Sequence, residues 1–423
     1  MLIIEEHLHT GVLIYIWTKY IWRQLLESRQ RSILKTYEVA PVEIQELIRD
    51  DDYRNYQVYA LYKNVLNVFK ETANLGLTTI FIVFRSYKKL WMRSTEILIH
   101  LGFDESHDAL RTTIFLTLLS SCHFLVNLPF SIYESYLNND YEHNERVTMV
   151  EAVLSHIITQ TIIFPFAYLL VVVFKMGGDN IFLYMFCVAE LEAIFDLFDH
   201  RILEPLPPCE LRNQLVAFTE ENDFPLFDIF LVESSGNHHS KVFVHGVPGQ
   251  KIIVLYNNIV SHHRNGRHSE LSSRLLTVDE ILALVAHEIA HWKQWHTFIR
   301  FLVHQTRLVV HLASLRFVMN YKPIYEAFGF EDKPYIIGIV LLQFYPIFDV
   351  CNFMARAINR QLEFSADRYV KRLKKDRALK SAIAKIGNHF SLFPVQDWFY
   401  SYCYYDQPSC HERILALDRY KSF

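Results

Sequence analysis

His287, Glu288 and His291 form an H-E-x-x-H pattern in a stretch that no proline or glycine interrupts from Ile281 to Arg300. On a helix, positions i and i+4 share a face, so the two imidazoles can point at one ion. Glu288 lies about 100° further around the helix. That places it beside the ion but off the ligand line, which suits a general base acting on water. Thr277 and Glu280 have capping-box spacing, and Asp279 adds negative charge to the first turn. A five-residue pattern can arise by chance in a chain with 21 histidines, so a third ligand is needed. Glu363 supplies a carboxylate downstream, with Asp367 at i+4 on the same face. Two His and one Glu leave the fourth zinc position open, as catalysis requires. Asp367 is placed to hold a ligand imidazole by its other ring nitrogen. The expected cofactor is one Zn2+ per chain.

The elements that must carry these groups are largely apolar. Residues 11–27, 72–91, 112–136, 148–175, 181–199, 297–321 and 334–358 read as membrane spans, about seven in all. Pro129 marks an expected kink, and the acidic stretch 137–146 an expected loop. The segment 72–91 is weak, because its clean apolar part ends at Phe84, before Arg85, Lys88 and Lys89. Glu190, Glu192 and Asp196 fall inside a span, where charges are costly and are expected to face the protein interior or water. Glu5 and Glu6 stand where a signal peptide is basic, so the first apolar run is expected to be retained. Arg29, Arg31 and Lys35 follow that run, which puts the loop in the cytosol and the N-terminus in the lumen. Residues 228–232, 241–245 and 252–256 read as strands, the last two joined by a turn around Gly246, Pro248 and Gly249. A sheet edge beside the metal helix could hold a peptide extended by strand addition, through Lys241, Val242 and Phe243. The zinc helix is expected to run on into 297–321.

Other chemistries are less well supported. A net charge of −4 without a lysine-rich block argues against nucleic acid. The six cysteines show no CxxC pairing and read as reduced thiols. Cys410 is the one that could be reactive. His262, His263 and His268 lack the ligand spacing of a second metal site.

H-E-x-x-H-W-K followed some seventy residues later by E-F-x-A-D resembles the type I CAAX prenyl endopeptidases. Leu128-Pro-Phe-Ser, Lys175-Met-Gly-Gly, Phe224-Pro-Leu and Phe393-Pro-Val-Gln-Asp-Trp look like further family landmarks, in family order over essentially the whole chain. The resemblance implies a mainly α, polytopic membrane helical bundle enclosing an aqueous chamber, with a small β-sheet beside the zincin-type helix. It implies N-terminal membrane helices in residues 1–200 and a metalloprotease domain in 201–423. It further implies cleavage of the C-terminal tripeptide of prenylated CAAX proteins, and residence in the endoplasmic reticulum or inner nuclear membrane, in contact with membrane lipid.

The chain also departs from the family. Where the family has a His-Pro-Pro segment, whose histidine is credited with stabilising the tetrahedral intermediate, this chain has Gln407. Gln407 keeps a neutral donor but no cationic form. Lys241 replaces the asparagine that holds the substrate backbone in the family, and it cannot accept a hydrogen bond. The chain around Ile202 to Pro208 is several residues shorter than expected. Arg413 is retained, to steady the site or to meet a substrate carboxylate. The whole reads as a diverged paralogue with intact Glu288. The competing readings are a quality-control peptidase for non-prenylated membrane clients, a weakly active paralogue, and a non-enzymatic membrane protein that keeps zinc for folding. Glu288 argues against the last, since a structural site needs no base.

Overall fold

The computed structural model describes residues 2–45, 50–142, 147–197, 204–232, 242–247, 249–256, 276–388 and 393–420. The N-terminal helices are α1 (Leu2–Thr36), α2 (Val42–Gln45), α3 (Asp50–Val83) and α4 (Ser86–His100). They continue as α5 (Asp108–Glu142), α6 (Met149–Gly177) and α7 (Ile181–Leu197). Helix α8 (Glu210–Glu221) lies between strands β1 (Glu204–Pro205) and β2 (Leu226–Val232), with β3 (Val242–Val247) and β4 (Gln250–Tyr256) following. The C-terminal half adds α9 (Val278–Lys293), α10 (His296–Asn320), α11 (Lys322–Ala327) and α12 (Tyr335–Leu342). It closes with α13 (Ile347–Arg372), α14 (Asp376–Asn388), α15 (Trp398–Tyr404) and α16 (Cys410–Arg419).

Two compact units result. One comprises Met1–Ser28, Leu61–Glu190 and Gln305–Cys351, the other Arg29–Ala60, Leu191–His304 and Asn352–Phe423. The first has an aromatic core. Phe328 stacks on Phe344 at 5.9 Å between centroids, and Trp91 meets Phe115 edge-on at 5.6 Å. Some of its charged side chains are held by polar partners. Glu190 accepts from Gln305 at 3.0 Å, and Asp349 accepts from Tyr15 at 2.5 Å and Lys19 at 2.8 Å.

By length and composition, Asp108–Asn138 and Met149–Gly177 can each cross a membrane, and Tyr335–Leu342 with Ile347–Arg372 makes a third if the bent pair is one span. Pro129 and Pro165 lie inside helices that run on past them, and α5 occupies much of the expected 137–146 loop. The other expected spans are interrupted, charged or short. The one near 72–91 breaks at Arg85, whose left-handed φ of 49° separates α3 from α4. The one over 334–358 bends by 50° between α12 and α13, where Pro346 removes an amide donor.

The second unit carries the sheet, ordered β1-β2-β4-β3. Strand β2 runs parallel to β4, and β3 pairs antiparallel with β4 from Val242↔Leu255 to Val247↔Gln250. The hairpin turns at Gly249, whose φ of 87° carries no Cβ penalty in glycine. Ile229, Leu231, Ile253 and Leu255 pack with Leu211 and Leu215 of α8, with Ile281, Val285 and Ile289 of α9, and with Leu379 of α14. One apolar stripe of α9, at i, i+4 and i+8, is therefore spent on the core. The helix starts as its sequence predicts. Thr277 N donates to Glu280 Oε2 at 2.7 Å, and Glu280 N donates to Thr277 Oγ1 at 3.3 Å. Glu280 also accepts from Ser381 at 2.5 Å and Lys385 at 2.8 Å, which locks α9 to α14.

Candidate active site

Three helices of the second unit build the site. Helix α9 contributes His287, Glu288 and His291, α13 contributes Glu363 and Asp367, and α16 contributes Arg413. His287, His291, Glu363 and Asp367 are all buried. His287 Nε2 lies 3.1 Å from His291 Nε2 and 3.3 Å from Glu363 Oε2, and His291 Nε2 lies 3.6 Å from Glu363 Oε1. A tetrahedral zinc with bonds of about 2.0–2.1 Å spaces its donors about 3.3 Å apart, so the triangle fits that ion. Among the described residues, these three form the group of ligand-type side chains able to hold a metal.

The i, i+4 relation of Glu363 and Asp367 brackets the His287 ring. Glu363 faces Nε2, and Asp367 Oδ1 sits 2.9 Å from Nδ1. Arg413 holds Asp367 with two bonds, Nε to Oδ2 at 2.8 Å and Nη2 to Oδ1 at 2.6 Å. Burial opposes charge on His287, but hydrogen bonds to Asp367 and Glu363 outweigh it and raise the pKa to about 9. Burial, reinforced by His287, pushes His291 down to about 2, which leaves it neutral and able to ligate. Glu288 keeps some exposure, yet desolvation by its neighbours pushes its carboxyl up. A carboxylate of raised pKa is the stronger proton acceptor.

The expected continuous helix from the motif into 297–321 is interrupted. Trp295, with a left-handed φ of 58°, separates α9 from α10. The break brings two residues to the site that sequence reasoning missed. His296 is buried, its Nδ1 2.8 Å from His291 Nδ1, and Arg300 Nη2 donates to Glu363 Oε1 at 2.7 Å. Neither glycine nor proline announced the turn. A third missed group is Arg360, buried one turn before Glu363. It donates to Ser401 Oγ at 2.9 Å and Glu412 Oε1 at 2.7 Å, and to the Gln407 carbonyl at 3.2 Å. Glu412 is also the capping-box partner of Ser409.

The remaining predicted residues are placed as follows. Gln407 is exposed on the loop before α16, anchored by its carbonyl. Val242 is buried and Phe243 half-buried on β3, an outer strand of the sheet among the described residues. Lys241, His262, His263 and His268 lie outside the described residues. Burial pushes the Cys410 thiol up to about 12, which makes it an inert thiol.

Comparison with known proteins agrees with this geometry. Residues 29–197 match the model of the CAAX prenyl protease N-terminal region, described as five membrane helices, and residues 209–421 match peptidase family M48. The mouse and human CAAX prenyl protease 1 homologues are 28% and 27% identical, each alignment covering 99% of this chain and 96% of the relative. The Saccharomyces cerevisiae CAAX prenyl protease 1 is 25% identical over 95% of this chain and 93% of its own. The crystal structure of S. mikatae Ste24p shares the fold with a TM-score of 0.74 at 22% identity, covering 97% of this chain and 99% of that one. With a His-His-Glu triangle able to hold a metal and both family models matched, the chain belongs to peptidase family M48, as a multi-pass membrane metalloprotease of the CAAX prenyl protease type.

Proposed function

We propose that the protein is a zinc endopeptidase that removes the C-terminal tripeptide of prenylated CAAX proteins. The observation that carries this reading is the His287–His291–Glu363 triangle with Glu288 beside it on the same helix. Zinc, when bound there, supplies electrophilic polarisation of the scissile carbonyl and acidifies water. Glu288 takes the proton of the attacking water and returns it to the leaving amine. Asp367 keeps the proton of His287 on Nδ1 and so leaves Nε2 as the ligand atom. Arg413 fixes Asp367. Its Nε and Nη2 are engaged by Asp367, so it steadies the site from behind His287.

Strand β3 presents the substrate backbone through Val242 and Phe243, with Lys241 just before them, and its position at the sheet edge supports strand addition. Gln407 supplies a neutral hydrogen bond to the developing oxyanion. An oxyanion donor is worth about 10²–10³ in rate, so a neutral one retains part of that. The working domain boundary is near residue 200, between the two matched regions, and the working location is the endoplasmic reticulum membrane, N-terminus lumenal, from the cations that follow the first apolar run.

The test is hydrolysis of a farnesylated CAAX peptide and its unprenylated counterpart by detergent-purified protein. Cleavage of the lipidated peptide alone is expected. Equal cleavage of both would favour a peptidase for non-prenylated clients. Silence on both peptides, unrelieved by Gln407→His with Lys241→Asn, would overturn CAAX processing.

A further inference from the structure

The two imidazoles of the triangle are held from outside it by dissimilar partners. His287 has a carboxylate, Asp367, itself gripped by Arg413. His291 has another imidazole. We propose that His296 is a positioning residue that fixes the tautomer and ring orientation of His291 and thereby sets the metal affinity of the site. The proposal rests on the zinc reading of the triangle.

Its basis is geometric. His291 turns Nε2 towards His287 and Glu363, so its proton belongs on Nδ1. That Nδ1–H donates to His296 Nδ1 at 2.8 Å, and His296 must then carry its own proton on Nε2. His296 is 3% exposed and its ring lies 4.9 Å from that of His291, so little room is left for rotation or for a competing water. In an unbroken helix, a residue five positions on would point about 140° away from His291. The contact exists because the chain breaks at Trp295. Trp295 adopts a φ of 58° that costs a side-chain-bearing residue about 1–2 kcal/mol. It is 71% exposed, so burial of its own ring does not offset that cost. Arg300, one helical turn beyond His296 and so on the same face, meets Glu363 Oε1 at 2.7 Å. The first turns of α10 are thus aimed at the ligands by two independent contacts.

An asparagine places its amide oxygen near the imidazole Nδ1 position, whereas a glutamine places its own near Nε2. His296→Asn therefore retains the acceptor that His291 needs, and His296→Gln displaces it while remaining polar and of similar bulk. Each full-length variant is stripped of metal, and Zn2+ affinity is measured by competition with a chromogenic chelator. The visible absorption of the cobalt-substituted form is recorded alongside. Loss of a ligand's hydrogen-bond partner typically weakens metal binding about 10–100-fold. His296→Gln is expected to show that loss and an altered cobalt spectrum, and His296→Asn to stay within about threefold of wild type.

Equal affinity and an unchanged spectrum in His296→Gln would overturn the proposal. So would equal losses in both variants, which would mark a packing role. Wild-type protein that binds no zinc would refute the metal reading itself and is distinguishable from either result.

Discussion

Removing Arg413 should uncouple the buried polar cluster behind His287. The side chain makes two bonds to Asp367, at 2.8 and 2.6 Å, and Asp367 is fully buried with His287 Nδ1 as its other charged-range neighbour at 2.9 Å. Arg413→Met leaves that carboxylate with His287 as its remaining partner, and breaking a buried pair from one side costs up to about 3–5 kcal/mol. Arg413→Lys retains the charge but loses the planar fork. It should forfeit one charged hydrogen bond, about 1.5–3 kcal/mol. The assay is denaturant unfolding in detergent of wild type, Arg413→Met, Asp367→Asn and the double variant. If the two residues act as one unit, the double variant is far less destabilised than the sum of the singles, with a coupling of at least about 1 kcal/mol. Zinc affinity should fall about 10–100-fold in Arg413→Met, because Asp367 no longer has a fixed orientation. Additivity within about 0.5 kcal/mol, with unchanged zinc affinity, would refute the reasoning.

Metal loading should release a proton. The His287 pKa of about 9 means that an ion must displace that proton below pH 9. Apparent zinc affinity should therefore rise about tenfold per pH unit between roughly 7 and 9 and flatten above it. His291, at about 2, adds no slope there. A flat profile in chelator competition would contradict this. In the other unit, a Cβ on Gly338 would collide with the buried Tyr325 hydroxyl and approach Met319 Cγ to 3.2 Å. Gly338→Ala should destabilise by about 1–3 kcal/mol, read as an earlier thermal transition, with zinc stoichiometry unchanged.

What could be read beforehand was what depends on local periodicity. His287 with His291, and Glu363 with Asp367, share faces because four residues make about one turn, and Thr277 with Glu280 announced the start of α9. Strands β2, β3 and β4 showed as apolar runs, and Gly249 marked the turn. The parallel pairing of β2 with β4 is long-range and left no local mark. Breaks without glycine were also silent. Arg85 and Trp295 take left-handed conformations that their side chains disfavour, so the segments on either side read as continuous helices. Without a sequence signal for the turn at Trp295, nothing in the chain puts His296 beside His291. Arg360 is not legible as a site residue because a lone cation on a helix gives no hint of partners 41 and 52 residues away, which here are Ser401 and Glu412.

The most direct measurement compares wild type with Glu288→Gln in hydrolysis of a farnesylated CAAX peptide, with zinc content determined on the same samples. A general base contributes about 10²–10⁴ in rate. The account predicts one zinc per chain in both proteins and a loss of that order in Glu288→Gln, while chelation silences the wild type. Glu288→Gln cleaving at the wild-type rate, or metal-stripped wild type remaining fully active, would contradict it.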